Sequence, residues 1–137
     1  MSPAAQFNAA AATTLALGVA MVALPATSQP LWYWLFYGEM APAWATPEAA
    51  RYIAFTYSVI GAVIAGWGAL LLWLGLGPLA RGERWAWNAA AASVGIWYGL
   101  DSSVSLAWGY WQNAALNTVF MLAFASPLWR MRRVKAV

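Results

Sequence analysis

Cysteine and histidine are both absent from these 137 residues, and charged side chains make up only 8% of them. Without cysteine there is no disulfide framework, no thiolate metal site and no cysteine nucleophile. Without histidine the commonest metal ligand and the usual general base near neutral pH are gone too. No metal site and no cofactor are therefore expected. The scarcity of charge excludes more, because an average soluble domain carries about 25% charged residues. A soluble domain this small would also leave too much of its surface in water to hide a chain that is 64% hydrophobic with a mean hydropathy of +0.60. In lipid the same surface needs no hiding, so membrane lipid is the first expected partner. The net charge of +3 forms no basic stripe on a polar face, and nucleic acid is not expected.

What is present is apolar sequence in four stretches, each near the ~20 residues that cross a bilayer. They predict an all-α fold: a single transmembrane domain over 1–137, built as a four-helix transmembrane bundle with helices at about 7–24, 47–76, 86–108 and 112–129. The first stretch faintly resembles a secretory signal, but MSPAAQFN lacks the basic n-region a signal needs. A retained helix is expected. Pro25 and Pro30 then bracket ATSQ. A span continuing from Phe7 to Tyr37 would be too long for the hydrocarbon layer. The reading is a break near Pro25, followed by a short interfacial segment holding Trp32, Tyr33, Trp34 and Tyr37 at the headgroup level. Thr46 as cap, Pro47 in the first turn and Glu48 at the positive end of the dipole mark the start of the second helix, and Gly77-Pro78 stops it.

Cations set the orientation. Arg81 and Arg84 lie in the second connection, and Arg130, Arg132, Arg133 and Lys135 lie in the tail, two helices further on. Six of the seven basic residues thus fall on one face, which places both ends of the chain in the cytoplasm. Attraction to anionic lipid headgroups is the first role for these six, and docking to an acidic partner the second.

Asp101 is the one ionisable side chain placed well inside a predicted span, where such residues are costly and are paired or functional. Counting outward from a turn near Gly109 and Tyr110 sets Asp101 level with about Asn117 and Thr118, some ~12 Å below the turn. Ser105 falls level with Asn113. The spacing predicts a polar cluster of Asp101, Ser105, Asn113 and Asn117, with Tyr98 and Trp97 beside it. Two roles suit it: gluing two helices together, or forming a ligand or proton site with Tyr57 and Tyr98 as the only assistants. Arg51 starts about ~13 Å shallower by the same counting.

Small residues and tryptophans form two further patterns. Gly95 and Gly99 make a GxxxG on the third helix, and Gly61-x-x-x-Ala65 a similar one on the second. Such spacing lets helix backbones approach closely, within one subunit, between two copies or against another membrane protein. Most of the eleven tryptophans fall near span ends, where an interfacial belt explains them. Trp67 and Trp97 lie deeper and could line an apolar pocket for a lipid, quinone or carotenoid.

The stretches GAVIAGWGALLLW, GPLARGERWAWNAA, LDSSVSL and WQNAALN resemble those of a group of short bacterial four-helix membrane proteins, over most of the chain from Tyr52 to Arg130. The resemblance implies a multi-pass topology in a bacterial cytoplasmic (inner) membrane and supplies no catalytic residues. Two functions follow as expectations. The first is a non-enzymatic accessory or assembly subunit of a larger membrane complex, in contact with other membrane subunits or with itself. The second is a carrier for a small apolar ligand, using Asp101 with Trp67 and Trp97. An enzyme comes third, since one carboxylate and two tyrosines are a thin catalytic set.

Overall fold

The structure is a computed structural model that describes residues 1–133. Lys135, one of the expected headgroup cations, lies outside the described residues, and for Arg133 the description stops at the backbone. Five helices follow one another: α1 (Pro3–Ala23), α2 (Pro25–Tyr37), α3 (Pro47–Leu76), α4 (Arg84–Ala107) and α5 (Trp111–Arg133).

Two expectations are corrected here. The aromatic segment after Pro25 is itself a helix, α2, of 13 residues. Pro25 takes a first-turn position, where the missing N–H costs no hydrogen bond. Pro30 sits inside the helix instead of bounding it. The end is set by Gly38, whose left-handed backbone (φ 77°) turns its amide back to the Trp34 carbonyl. The second correction concerns the four-helix transmembrane bundle, which the chain does not form. Of its five helices, α1 and α3 are long and apolar enough to cross a membrane. α4 and α5 reach 24 and 23 residues, but Asp101 and four serines in α4, and Gln112, Asn113, Asn117 and three arginines in α5, dilute their apolar content. Length alone is not enough. In α3 only 28% of the most apolar stretch is buried, the opposite of a helix held in the core of a soluble domain.

The described chain divides into two compact units. The first combines Met1–Ala12 with the chain from Ala69 onward. In it α4 packs along α5, over a core of Leu71, Ala86, Ala90, Val94, Phe124 and Leu128. Phe7 from the start of α1 sets its ring edge-to-face on Phe124, with centroids 5.5 Å apart. Gly75 makes room for Phe7 and Asn8, since a side chain there would run into both. Three contacts draw the start of α1, the start of α4 and the end of α5 to one end of this unit. Arg130 Nη1 donates to Gln6 Oε1 at 2.8 Å. Trp87 Nε1 donates to the Leu128 carbonyl at 2.8 Å, and the Arg132 guanidinium lies 5.4 Å from the centre of the Trp87 ring.

The second unit is Thr13–Gly68. Here α1 and α3 touch backbone to backbone. A Cβ added to Gly61 would come within 2.6 Å of Met21 Cβ, and one on Gly68 within 2.5 Å of the Leu15 amide. One on Gly18 would collide with Gly61 and Ala65. α2 is held to α3 by Gln29, whose side-chain amide donates to the Ala50 carbonyl at 2.8 Å and meets the Tyr33 hydroxyl at 2.6 Å. Trp44 sets its ring edge-to-face on both Tyr33 and Tyr37, and Trp32 stacks on Phe36. The Thr46 hydroxyl accepts the Ala49 amide at 3.3 Å, so α3 begins on the capping residue read from the sequence.

Candidate interaction site on the two faces of α4

At 3.6 residues per turn, two residues along a helix lie on nearly opposite sides. Gly99 and Asp101 are such a pair, and α4 is built differently on their two faces.

The inner face carries the polar side chains and meets α5. Gly109, with φ at 82°, makes the reversal between the two helices, a backbone conformation that favours glycine. Ser105 then faces Asn113. The Asn113 side-chain amide has two hydrogens and uses both, donating to Asp101 Oδ1 at 2.8 Å and to Ser105 Oγ at 2.8 Å. Ser105 has one hydrogen, shared between the Asp101 carbonyl at 2.7 Å and Asp101 Oδ1 at 3.1 Å. A serine bonding to the carbonyl four residues back is a common use of that hydroxyl in apolar surroundings.

Asn117 is buried and turns its amide to Ser102 Oγ at 3.4 Å. It does not reach Asp101, the residue it was counted level with. The reason is that Asn113 spans a full helical turn, bridging Ser105 and Asp101 together and leaving Asn117 the neighbouring serine. One turn deeper, Tyr98 and Thr118 hydroxyls lie 3.2 Å apart. Thr118 gives its hydrogen to the Ala114 carbonyl at 2.8 Å, which makes Tyr98 the donor of that pair. The result is a seam of mutually bonded polar groups running down the α4–α5 contact. Chemically it holds two helices together, since unmade polar contacts in a dry environment are costly.

The outer face is bare. Ala92, Gly95, Gly99 and Ser103 are all exposed, and a Cβ added to Gly95 or Gly99 would meet nothing within 4 Å. Large apolar side chains flank the strip: Ile96 is 62% exposed and Leu100 67%. Gly95 and Gly99, read as helix-packing residues, thus pack on nothing within the unit that holds α4 and α5. Gly61 and Ala65, read the same way, pack on α1 through Gly18.

The remaining candidates are dispersed. Trp97 is half-buried in the unit that holds α4 and α5. Trp67 and Tyr57 are half-buried in the Thr13–Gly68 unit, where the Tyr57 ring lies 6.1 Å from that of Trp32. Among the expected headgroup cations, Arg81 Nε binds Glu83 Oε1 at 2.7 Å, while Arg84 and Arg130 are exposed. The hydrogen bond from Arg81, then that from Trp85, hold the Glu83 carboxyl below the ordinary glutamate range.

Three features escaped the sequence reading. Gly18 is the sole glycine of α1, and that alone could have marked it as a contact point in an alanine-rich helix. The Trp87–Leu128 bond and the Gln29 clamp join positions 41 and 21 residues apart and leave no local signal. No family model, curated protein or solved structure matches the chain.

Proposed function

We propose that this chain is a non-enzymatic accessory or assembly subunit of a larger bacterial membrane complex. It resides in the cytoplasmic membrane as a multi-pass protein and receives an apolar helix of another subunit on the outer face of α4. The observation that supports this reading is the bare strip at Gly95 and Gly99. Small residues let a second helix approach the α4 backbone closely, and the exposed Ile96 and Leu100 beside them give it apolar surface to cover. A glycine inside a helix costs about 1 kcal/mol relative to alanine. Exposure alone returns nothing for that cost. A second helix returns it by lying closer.

The carrier reading draws less support. Asp101 Oδ1 already receives Asn113 and Ser105, so its bonding is directed at its own chain.

Purification from native membranes in mild detergent, with crosslinking through cysteines placed at Ala92 and Ser103, tests the proposal. The expected result is a discrete adduct with one other membrane protein, lost in the G95L/G99L double variant while that variant still folds. An adduct of twice the chain's own mass would identify the receiving surface as a self-contact and replace the proposal. A chain that runs alone and forms no adduct at either position would overturn it.

A further inference from the structure

A second feature lies at the end of the molecule where the starts of α1 and α4 meet the end of α5, and it stands independently of the α4 docking face. A cavity of about 600 Å³ opens there, lined among others by Leu79, Arg84, Trp87, Asn88, Met131 and Arg132. Pro3 and Ala4 of α1 complete its wall. The volume falls in the usual ~300–1,000 Å³ range of small-molecule sites.

Its electrostatics are one-sided. Glu83 also borders the cavity, but its two oxygens are engaged by Arg81 Nε at 2.7 Å and Trp85 Nε1 at 2.5 Å. Arg84 and Arg132 therefore set the sign. Arg132 lies over the Trp87 ring, 5.4 Å from its centre, a cation–π contact that itself uses no N–H of the guanidinium. α4 starts at Arg84, and the residue before it, Glu83, makes no side-chain bond to the first amides. The first amides of a helix point outward from its start and add positive potential at the same place. Leu79, Met131 and Trp87 supply the apolar part of the wall.

We infer that this cavity binds the phosphate of an anionic amphiphile, with Arg84 and Arg132 on the phosphate and the Leu79–Met131 side against the apolar chain. Free phosphate shares the anionic chemistry but makes no use of the apolar wall, so the source assigned is a phospholipid of the surrounding membrane.

Native mass spectrometry of the full chain in detergent tests the inference. Palmitoyl-oleoyl phosphatidylglycerol is titrated in parallel with phosphatidylcholine of the same chains. The intact protein should retain the anionic lipid with about a tenfold preference, the scale expected from one to two basic residues at a membrane surface. R84Q/R132Q should abolish the preference. R51Q removes an exposed cation that does not line the cavity and should keep it. A80F fills the cavity while leaving each arginine in place, and it should abolish retention as well, so it carries the test even where the double variant folds poorly. Equal retention of the two lipids, an R51Q loss equal to that of R84Q/R132Q, or full retention in A80F would each overturn the inference. Displacement of the lipid by millimolar inorganic phosphate would overturn the lipid assignment in favour of a free anion.

Discussion

Gly18, Gly61 and Gly68 sit where α1 and α3 touch, whereas Gly95 and Gly99 sit where α4 touches nothing. The two sets look alike in the sequence, as small residues about a turn apart in apolar helices. At Gly18, Gly61 and Gly68 the space of the missing side chains is already taken, mostly by backbone: Gly61 and Gly68 of α3 meet Thr14, Leu15, Gly18 and Met21 of α1. On α4 the missing side chains leave open surface, while Asp101, at the head of the polar seam that holds α4 to α5, lies across the helix from Gly99. Spacing therefore reports that a helix can be approached closely, and only the fold reports whether the approach has been made. The unfilled strip is a part of the molecule whose cost in helix propensity its own chain does not offset, as is the isolated Gly66 of α3.

The contrast can be broken at either face. The largest effect on stability is expected from Gly18→Leu, because the new side chain would enter the backbone of Ala65. Overpacking of this kind costs about 3 kcal/mol, read as a lower midpoint of denaturant unfolding in detergent. Asp101→Ala comes next. It strands the Asn113 amide and weakens Ser105, and one lost interhelical network of this size costs about 1–2 kcal/mol. A double-mutant cycle with Asn113→Ala should show that the two losses overlap, and strict additivity would remove the seam from the account. G95L/G99L should change stability by no more than about 0.5 kcal/mol in the isolated chain, while removing the adducts at Ala92 and Ser103. If it destabilised the chain as much as Gly18→Leu, the two faces would be equivalent and the comparison would fail.

The smallest effect belongs to Glu83. Its folded carboxyl titrates below the unfolded one, with the Arg81 hydrogen bond as first cause and the Trp85 bond as second. The contribution is therefore fully present above the ordinary glutamate value and is lost as pH falls through the lowered one. Glu83→Gln should lower the neutral-pH unfolding midpoint slightly and flatten its acid-side dependence, so that the two proteins converge at low pH.

What could be read in advance was local chemistry. Thr46, Pro47 and Glu48 announce the start of α3 because capping acts within one turn. Asp101, Ser105 and Asn113 could be brought together because a tight reversal at Gly109 makes register a matter of counting. Counting failed for Asn117, whose partner depends on which rotamer Asn113 adopts, and rotamers are set by packing. α2 has no clear sequence signal because Pro25 and Pro30 read as boundaries, whereas proline in a first turn is compatible with a helix and Pro30 is accommodated within it. The number of spans was overestimated for a related reason. Tryptophan, serine and asparagine along α4 and α5 were read as a belt and a cluster inside apolar runs, but together they leave α1 and α3 as the helices with the composition of a membrane crossing. The meeting of Trp87 with Leu128 and Arg132 had no sequence signal, because it depends on three helix ends converging.

Crosslinking at Ser103→Cys in native membranes, compared with and without G95L/G99L, bears most directly on the claim that the outer face of α4 exists to be covered by another subunit. The account predicts one discrete heterologous adduct that disappears when leucines occupy the strip, with the chain still folded and inserted. An adduct that persists unchanged beneath those leucines, or a position that labels freely and joins to nothing, would contradict it.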